Sequence, residues 1–367
     1  MSGAAKPRRP EPLPLNLLTG FLGAGKTTLL NRLLRDPALR ETAVIINEFG
    51  EIGLDHLLVE HVEDGVMLLS TGCLCCTVRG DLVNTLEKLL RGLDNGRVRF
   101  NRVIIETTGL ADPAPVLHTI MVHPYLALRF RLDGVVTVMD AVNGAATLDA
   151  HTEALKQVAV ADRIVLSKTD LLGGPPADLL ARLAALNPAA PVIEVANANV
   201  AKLVNCGLYD TERKIPDVKR WLAAEAYAHD HHHHHDVNRH DETIRAFTLA
   251  ADRPIPYSAF EMFLDLTRSM HGPNLLRVKG IVKIAETPDT PIVIHGVQHI
   301  FHPPVTLNAW PDEDHRTRLV FIVNGIEERA VRDLFNAFLG TAQVDQPDRA
   351  AVMDNPLTPF GGADHLR

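Results

Sequence analysis

Gly20, Gly23, Gly25, Lys26 and Thr27 stand at the spacing G-x-x-x-x-G-K-[ST], and the chemistry of that spacing is the cradling of a triphosphate. Glycines let the backbone turn tightly, so successive N–H groups can donate to phosphate oxygens. Leu13 to Leu18 read as an apolar strand before the loop, and Thr28 to Arg35 as a helix after it. The helix N-terminus turns its dipole on the same anion. Lys26 is placed for the β and γ phosphates and the Thr27 hydroxyl for Mg²⁺.

Two further stretches fit the same chemistry. Arg102 to Gly109 is a strand ending in Glu106 and then a glycine. In phosphate-loop enzymes an acid there holds Mg²⁺, directly or through water, and a nearby glycine amide senses the γ-phosphate. Glu106 stands where Asp is commoner, and its longer arm favours a water-bridged contact. Ser167-Lys168-Thr169-Asp170 follows another strand and is similar to the Asn-Lys-x-Asp guanine reader of GTPases, with Ser in place of Asn. The Asp170 carboxylate can accept from the ring N–H and the exocyclic amine of guanine. Adenine lacks that pair of donors, and such discrimination is worth several powers of ten.

Cys73, Cys75 and Cys76 crowd into the turn after the strand Val66 to Leu69. Thiolates select soft or borderline ions such as Zn²⁺, Co²⁺ or Cu⁺. Glu48 or Glu51, in the loop after the strand Ala43 to Ile46, could add a carboxylate to a tetrahedral shell. Neighbouring side chains diverge in an extended chain, so Cys75 and Cys76 share one ion only if the loop turns sharply. Buried or redox cysteines remain the competing reading.

These loops need a scaffold. Short apolar runs without strict alternation (also Val103 to Ile105, Val135 to Met139, Ile164 to Leu166 and Val192 to Val195) predict strands buried on both faces of a parallel sheet. Leu82, Leu86, Leu89 and Leu90 predict a helix behind Asp81 as N-cap. The fold class expected is an α/β phosphate-loop GTPase domain with a mostly parallel, doubly wound sheet, whose post-strand loops converge on one crevice. A smaller C-terminal α+β domain with a mainly antiparallel sheet follows. It is predicted from a helix at Phe260, Phe263 and Leu264, strands at Leu275 to Ile284, Ile292 to Phe301 and Leu319 to Val323, and a helix from Glu327 to Leu339. In Leu275 to Ile284, apolar residues alternate with Arg277, Lys279 and Lys283, which predicts one buried and one solvated face. The expected division is a disordered tail over 1–12, the GTPase domain over 13–227, with a helix at Trp221 to Tyr227, a His-rich linker over 228–242, the second domain over 243–340 and a tail over 341–367.

The 367 residues suit two domains, and the net charge of −8 gives no reason to expect nucleic acid or an anionic membrane as partner. No apolar run is long enough to span a bilayer, no secretory signal is read, and the crowded cysteines do not suit a disulfide framework. The chain is therefore expected to be soluble and cytoplasmic.

GFLGAGKTT, INEFGE, GCLCC, ETTGLADPAP and SKTD, in this order, resemble the CobW-type metal-chaperone GTPases of the G3E group, also called zinc-regulated GTPase metalloprotein activators. The resemblance extends to HGVQHIFHP in the second domain. It implies GTP hydrolysis with Mg²⁺, coupled to binding and release of Zn²⁺ or Co²⁺ destined for a client metalloprotein. By matching motif it implies Cys73, Cys75 and Cys76 as metal thiolates, with Glu48 as a further ligand or switch contact. It assigns Gly23, Ala24, Gly25, Lys26, Thr27 and Thr28 to phosphate, and Ser167 to Asp170 to guanine; the γ-phosphate contacts of the loops carrying Glu48 and Gly109 are then expected to be the switch. The second domain is expected to recognise the client or to form a homodimer contact. Two alternatives stand beside this: a nucleotide-dependent kinase or ATPase with a structural zinc, and a non-catalytic metal buffer. The run from His229 to His240 reads as a solvated spacer or as auxiliary metal capture. His295, His299, His302 and His315 read as strand-surface or satisfied residues, and Cys206 as a small buried apolar one.

Overall fold

The computed structural model describes residues 11–47, 59–62, 66–71, 79–204 and 243–340. The Cys73–Cys76 turn, Glu48, Glu51, Cys206, the Trp221 to Tyr227 helix, the histidine run and both tails lie outside the described residues.

Strands β1 (Leu13–Gly20), β2 (Thr42–Asn47), β3 (Val59–Val62), β4 (Val66–Thr71), β5 (Arg102–Glu106), β6 (Phe130–Asp140), β7 (Arg163–Ser167) and β8 (Val192–Glu194) form an eight-stranded sheet in the order β3-β4-β2-β5-β1-β6-β7-β8. Every pairing is parallel except β3 with β4. The helices are α1 (Lys26–Leu33), α2 (Arg79–Asp94), α3 (Ala114–Val122), α4 (Pro124–Arg129), α5 (Gly144–Ala150), α6 (Thr152–Ala159), α7 (Ala177–Leu186) and α8 (Val200–Leu203). The alternation along β1 decides which helix covers which face. Leu15 and Leu17 pack with Leu86 and Leu90 of α2 and Leu117 of α3, whereas Leu18 packs with Leu29, Leu30 and Leu33 of α1. The apolar runs are continuous because both faces are covered, and β5 and β7 are buried along their whole length. After β1 the chain fills one side of the sheet through β5, then crosses to the other for β6 to β8. The carboxyl end of β1 is therefore a topological switch point, where such sheets bind ligands.

Some local expectations need correcting. Helix α1 begins at Lys26, not Thr28, because the loop's last residues already enter the helix. Asp81 is not the N-cap of α2, which begins at Arg79. Strand β8 ends at Glu194, and Val195 opens a short 3-10 turn. The antiparallel β3 had no expectation attached to it.

The second sheet comprises β9 (Ile244–Ala251), β10 (Leu275–Val282), β11 (Ile292–Val297), β12 (Ile300–Phe301), β13 (Val305–Thr306) and β14 (Thr317–Asn324), in the order β12-β11-β10-β14-β9 with β13 on β11. All its ladders are antiparallel. Ile292 to Phe301 is thus a hairpin, not a single strand, and it turns at Gln298 and His299. One face of the sheet lies under α9 (Tyr257–His271) and α10 (Glu328–Phe338), with Phe260, Phe263 and Phe335 packed on Val278 and Phe321. The other face lies against the first domain. Ile244, Leu276 and Ile322 share a cluster with Ile164, Leu166, Leu179 and Leu183, and Ile281 and Val293 pack with Ala189.

That second contact overturns the expectation of a solvated face on β10. Arg277 and Lys279 alternate as expected, but every residue of the strand is buried. A polar stripe on a strand signals water only when nothing packs on it, and here the first domain supplies both a cover and a counter-charge.

Candidate functional site

The phosphate loop leaves the end of β1 with Gly20 at φ 141°, where a Cβ would lie 2.3 Å from the Val138 carbonyl oxygen. No side chain fits, so glycine is required by both backbone and space. Lys26 donates from Nζ to the Phe21 carbonyl at 3.1 Å, folding the loop over its own amine. Burial pushes the Lys26 ammonium below the usual lysine range, and Glu106 opposes the shift. Such a cation is under-neutralised, which suits it to a polyanionic ligand.

Thr27 donates from Oγ1 to Glu106 Oε1 at 2.6 Å across 79 residues of sequence, because β1 and β5 are neighbours in register. A hydroxyl and a carboxylate oxygen side by side are the hard ligands that Mg²⁺ takes. Gly109 passes so near the loop that a Cβ there would stand 2.6 Å from the Leu22 nitrogen. Gln157 of α6 holds this approach by donating from Nε2 to the carbonyls of Gly109 and Ala111 at 3.1 and 3.0 Å.

The residues of the guanine-reader pattern gather at the end of β7. Ser167 Oγ is 2.7 Å from the Ala24 carbonyl oxygen and 3.2 Å from that of Met139, so this serine ties the β7 end to the phosphate loop. Lys168, in the left-handed region at φ 59°, reaches Asp140 Oδ2 at 2.7 Å. Asp140 also accepts from the amides of Val142 and Asn143. Burial opposes its ionisation, but Lys168 and Asn143 hold its carboxyl below the usual range. Asp170 is exposed, open to a ligand edge. Asp140, Asn143 and Gln157 were not anticipated. Asp140 was open to inference, being an acid at the end of an apolar strand, as Glu106 is.

The sheet gathers Gly20, Gly23, Ala24, Gly25, Lys26, Thr27, Thr28, Glu106, Gly109, Ser167, Lys168 and Asp170 at the carboxyl ends of β1, β5 and β7. Asn47 pairs with Thr71 and Ile46 with Glu106, so β2 and β4 end on the same edge. Glu48, Cys73, Cys75 and Cys76 lie outside the described residues. Among the described residues no group of three or more His, Cys, Asp or Glu side chains is arranged to hold a metal ion. No described helix is long and apolar enough to cross a membrane.

A second polar cluster sits at the amino end of β7. Asp162 Oδ1 accepts from Arg277 Nη2 at 2.5 Å and meets Lys279 Nζ at 2.7 Å, while Oδ2 accepts from the Val135 amide at 2.9 Å. Burial opposes ionisation of Asp162, but Arg277 and Lys279 outweigh it and hold the carboxyl far below the usual range. His295 is buried in the same place. It is neither on the strand surface nor satisfied, since neither ring nitrogen has a hydrogen-bond partner among the described residues. Burial and the Arg277 charge push its imidazole well below the ordinary value, and the same causes bring the adjacent His302 to about 4. His315 is at the surface, stacked on Trp310.

The profile of the CobW/HypB/UreG nucleotide-binding domain matches residues 14–194, and that of the cobalamin synthesis protein CobW C-terminal domain matches 244–339. The chain is 34% identical to the zinc chaperone YjiA of Escherichia coli K12 over 327 residues, which is 89% of this chain and 98% of that one. It is 34% identical to zinc-regulated GTPase metalloprotein activator 1 of Schizosaccharomyces pombe over 230 residues, 60% of this chain and 51% of that protein. The crystal structure of Zn(II)-bound E. coli YjiA GTPase superposes with a TM-score of 0.68 at 30% identity, covering 89% of this chain and 99% of that one.

Proposed function

This chain belongs to the CobW-type GTPases of the G3E group, and from that premise we propose that it hydrolyses GTP to GDP and phosphate and uses the cycle to hold and release a transition metal for a client metalloprotein. Lys26 and the loop from Gly20 to Thr28 bind the phosphates. Thr27 and Glu106 hold Mg²⁺, which when bound neutralises charge on the β- and γ-phosphate oxygens. Ser167, Lys168 and Asp170 read guanine. Cys73, Cys75 and Cys76, with Glu48, take Zn²⁺ or Co²⁺ as cargo.

The observation that carries the reading is the strand order. Asn47 and Thr71, the last described residues before Glu48 and Gly72, end on the edge where Thr27 meets Glu106. β4 is three neighbours from β1, roughly 14 Å at the usual strand spacing. Loops at that range can answer to one γ-phosphate through Glu48 and Gly109. A tenfold change in metal affinity needs only about 1.4 kcal/mol of coupling. Linkage is reciprocal, so bound metal also tightens GTP binding. The second domain recognises the client or a second copy of the chain.

Metal analysis after purification with Mg²⁺ and a slowly hydrolysed GTP analogue tests the proposal. The expected result is a tightly held metal that survives deletion of 229–240 and is lost in Cys75→Ala. Metal retained by Cys75→Ala but lost on that deletion would instead make the chain a histidine-based buffer.

A further inference from the structure

Helix α3 and the β11–β12 hairpin meet at two histidines that the nucleotide and thiolate readings leave unused. His118 lies half-buried in the middle of α3, and His299 stands exposed at the hairpin turn, 181 residues away. Their Nε2 atoms are 2.9 Å apart, with ring centroids at 4.8 Å and planes inclined by 54°. A linear end-to-end imidazole hydrogen bond of that length would hold the centroids roughly 5.2 Å apart. The rings are closer than that, so their axes are bent off the line joining the two nitrogens, as ligation of one ion by both requires. Two nitrogens 2.9 Å apart, each about 2.05 Å from one ion, subtend roughly 90° at it. That is the angle of neighbouring ligands in a square-planar or octahedral shell, and a small widening reaches the tetrahedral value.

The backbone holds both rings in place. His299 follows Gln298, which sits in the left-handed region at φ 53°. Gly272 passes beneath the turn so closely that a Cβ there would be 2.8 Å from His299 Cβ. On the other side, α3 is anchored on Leu117 and Ile120 in the core of the first domain, with Val297 of the hairpin in the same cluster.

We propose that His118 and His299 form a two-histidine site for a borderline divalent ion, of the class of Zn²⁺, Ni²⁺ or Cu²⁺, that staples the second domain to the helix following the Gly109 loop. Neutral imidazole is the ligand these ions share. In the ion-bound form each ring carries its proton on Nδ1 and offers the Nε2 lone pair; the ring that donated through Nε2–H shifts that proton to Nδ1, and two coordinate bonds replace one N–H···N bond. No third His, Cys, Asp or Glu among the described residues joins the pair. Water completes the shell, and the ion exchanges readily.

Hydrogen exchange of the full chain in a Cys75→Ser/Cys76→Ser background, with micromolar Zn²⁺ and no nucleotide, tests the site apart from the thiolate proposal. Zinc is expected to slow exchange at least threefold over residues 114–122 and 292–301. His118→Gln and His299→Gln should each abolish that protection while leaving far-ultraviolet circular dichroism unchanged. Should His118→Gln disturb α3, His299→Ala at the exposed turn carries the same test. Protection that persists in both variants, zinc-independent exchange, or protection confined to residues 229–240 would each overturn the proposal.

Discussion

Strand β7 has a different neighbourhood at each end. At its carboxyl end, Ser167, Lys168 and Asp170 form part of an open rim, where Lys168 keeps 36% of its side chain exposed and pairs with Asp140. At its amino end, Asp162 is 5% exposed and faces Arg277 at 2% and Lys279 at 7%. Both ends are charged, but they solve different problems. The rim leaves charge incompletely neutralised, so that a ligand can finish the work. The seam pairs charge within the protein: one carboxylate lies between two cations, and burial pushes Lys279 and both imidazoles toward their neutral forms. A polar group at a domain contact can therefore be part of the fold's own electrostatics, while a similar group a strand's length away is, in the function proposed, there for a ligand.

The contrast breaks if a change at one end acts at the other. The largest effect is expected from Asp162→Asn, which leaves Arg277 and Lys279 buried without a counter-charge. Losing one member of a buried pair costs about 3–5 kcal/mol, read as a drop in the denaturation midpoint with the GTP-to-ATP preference unchanged. Lys26→Ala is the converse. It should lower GTP hydrolysis by about two to three powers of ten while stability holds. Asp170→Asn should cut the preference for GTP over ATP by about a hundredfold, the loss of a charge-assisted pair of hydrogen bonds.

Per histidine and per pH unit, the smallest of these effects is in pH. His295 and His302 have folded values below the ordinary 6.5, His302 at about 4, so between those limits the unfolded chain takes up protons that the folded chain refuses. Stability then falls as pH drops from 6.5 toward 4, by at most about 1.4 kcal/mol per unit per histidine. Asp162, whose value lies far lower, stays ionised throughout that window. Denaturation midpoints should show a flatter slope in His295→Gln/His302→Gln than in the parent. Equal slopes would remove the histidines from the seam's energetics.

The two ends also differ in how far their residues announced them. Phosphate binding demands glycines, lysine and threonine at fixed short spacing, so Gly20 to Thr27 could be read directly, and parallel-sheet topology then brought Glu106 and Asp170 to the same edge. In the second domain β10, β14, the β11–β12 segment and both helices were legible from periodicity, whereas β9, β13 and the turn at Gln298 and His299 were not. The seam was not legible. Asp162 and Arg277 are 115 residues apart, and the alternation of β10 is the same whether water or a protein surface covers its charged face. Local pattern reports which residues share a face, not what that face meets. His295 shows the same limit, since a histidine on a strand carries no mark of burial until the covering domain is in place.

The proposed function turns on one coupling, between a triphosphate bound at Lys26 and the metal proposed to bind at Cys73, Cys75 and Cys76. The direct measurement is the Zn²⁺ dissociation constant of the full chain with Mg²⁺ and a non-hydrolysable GTP analogue, set against the same constant with Mg²⁺ and GDP. The account predicts at least tenfold tighter binding with the analogue, abolished in Cys75→Ala. Equal constants in the two nucleotide states would contradict it and leave a GTPase and a metal binder that share a chain without a cycle between them.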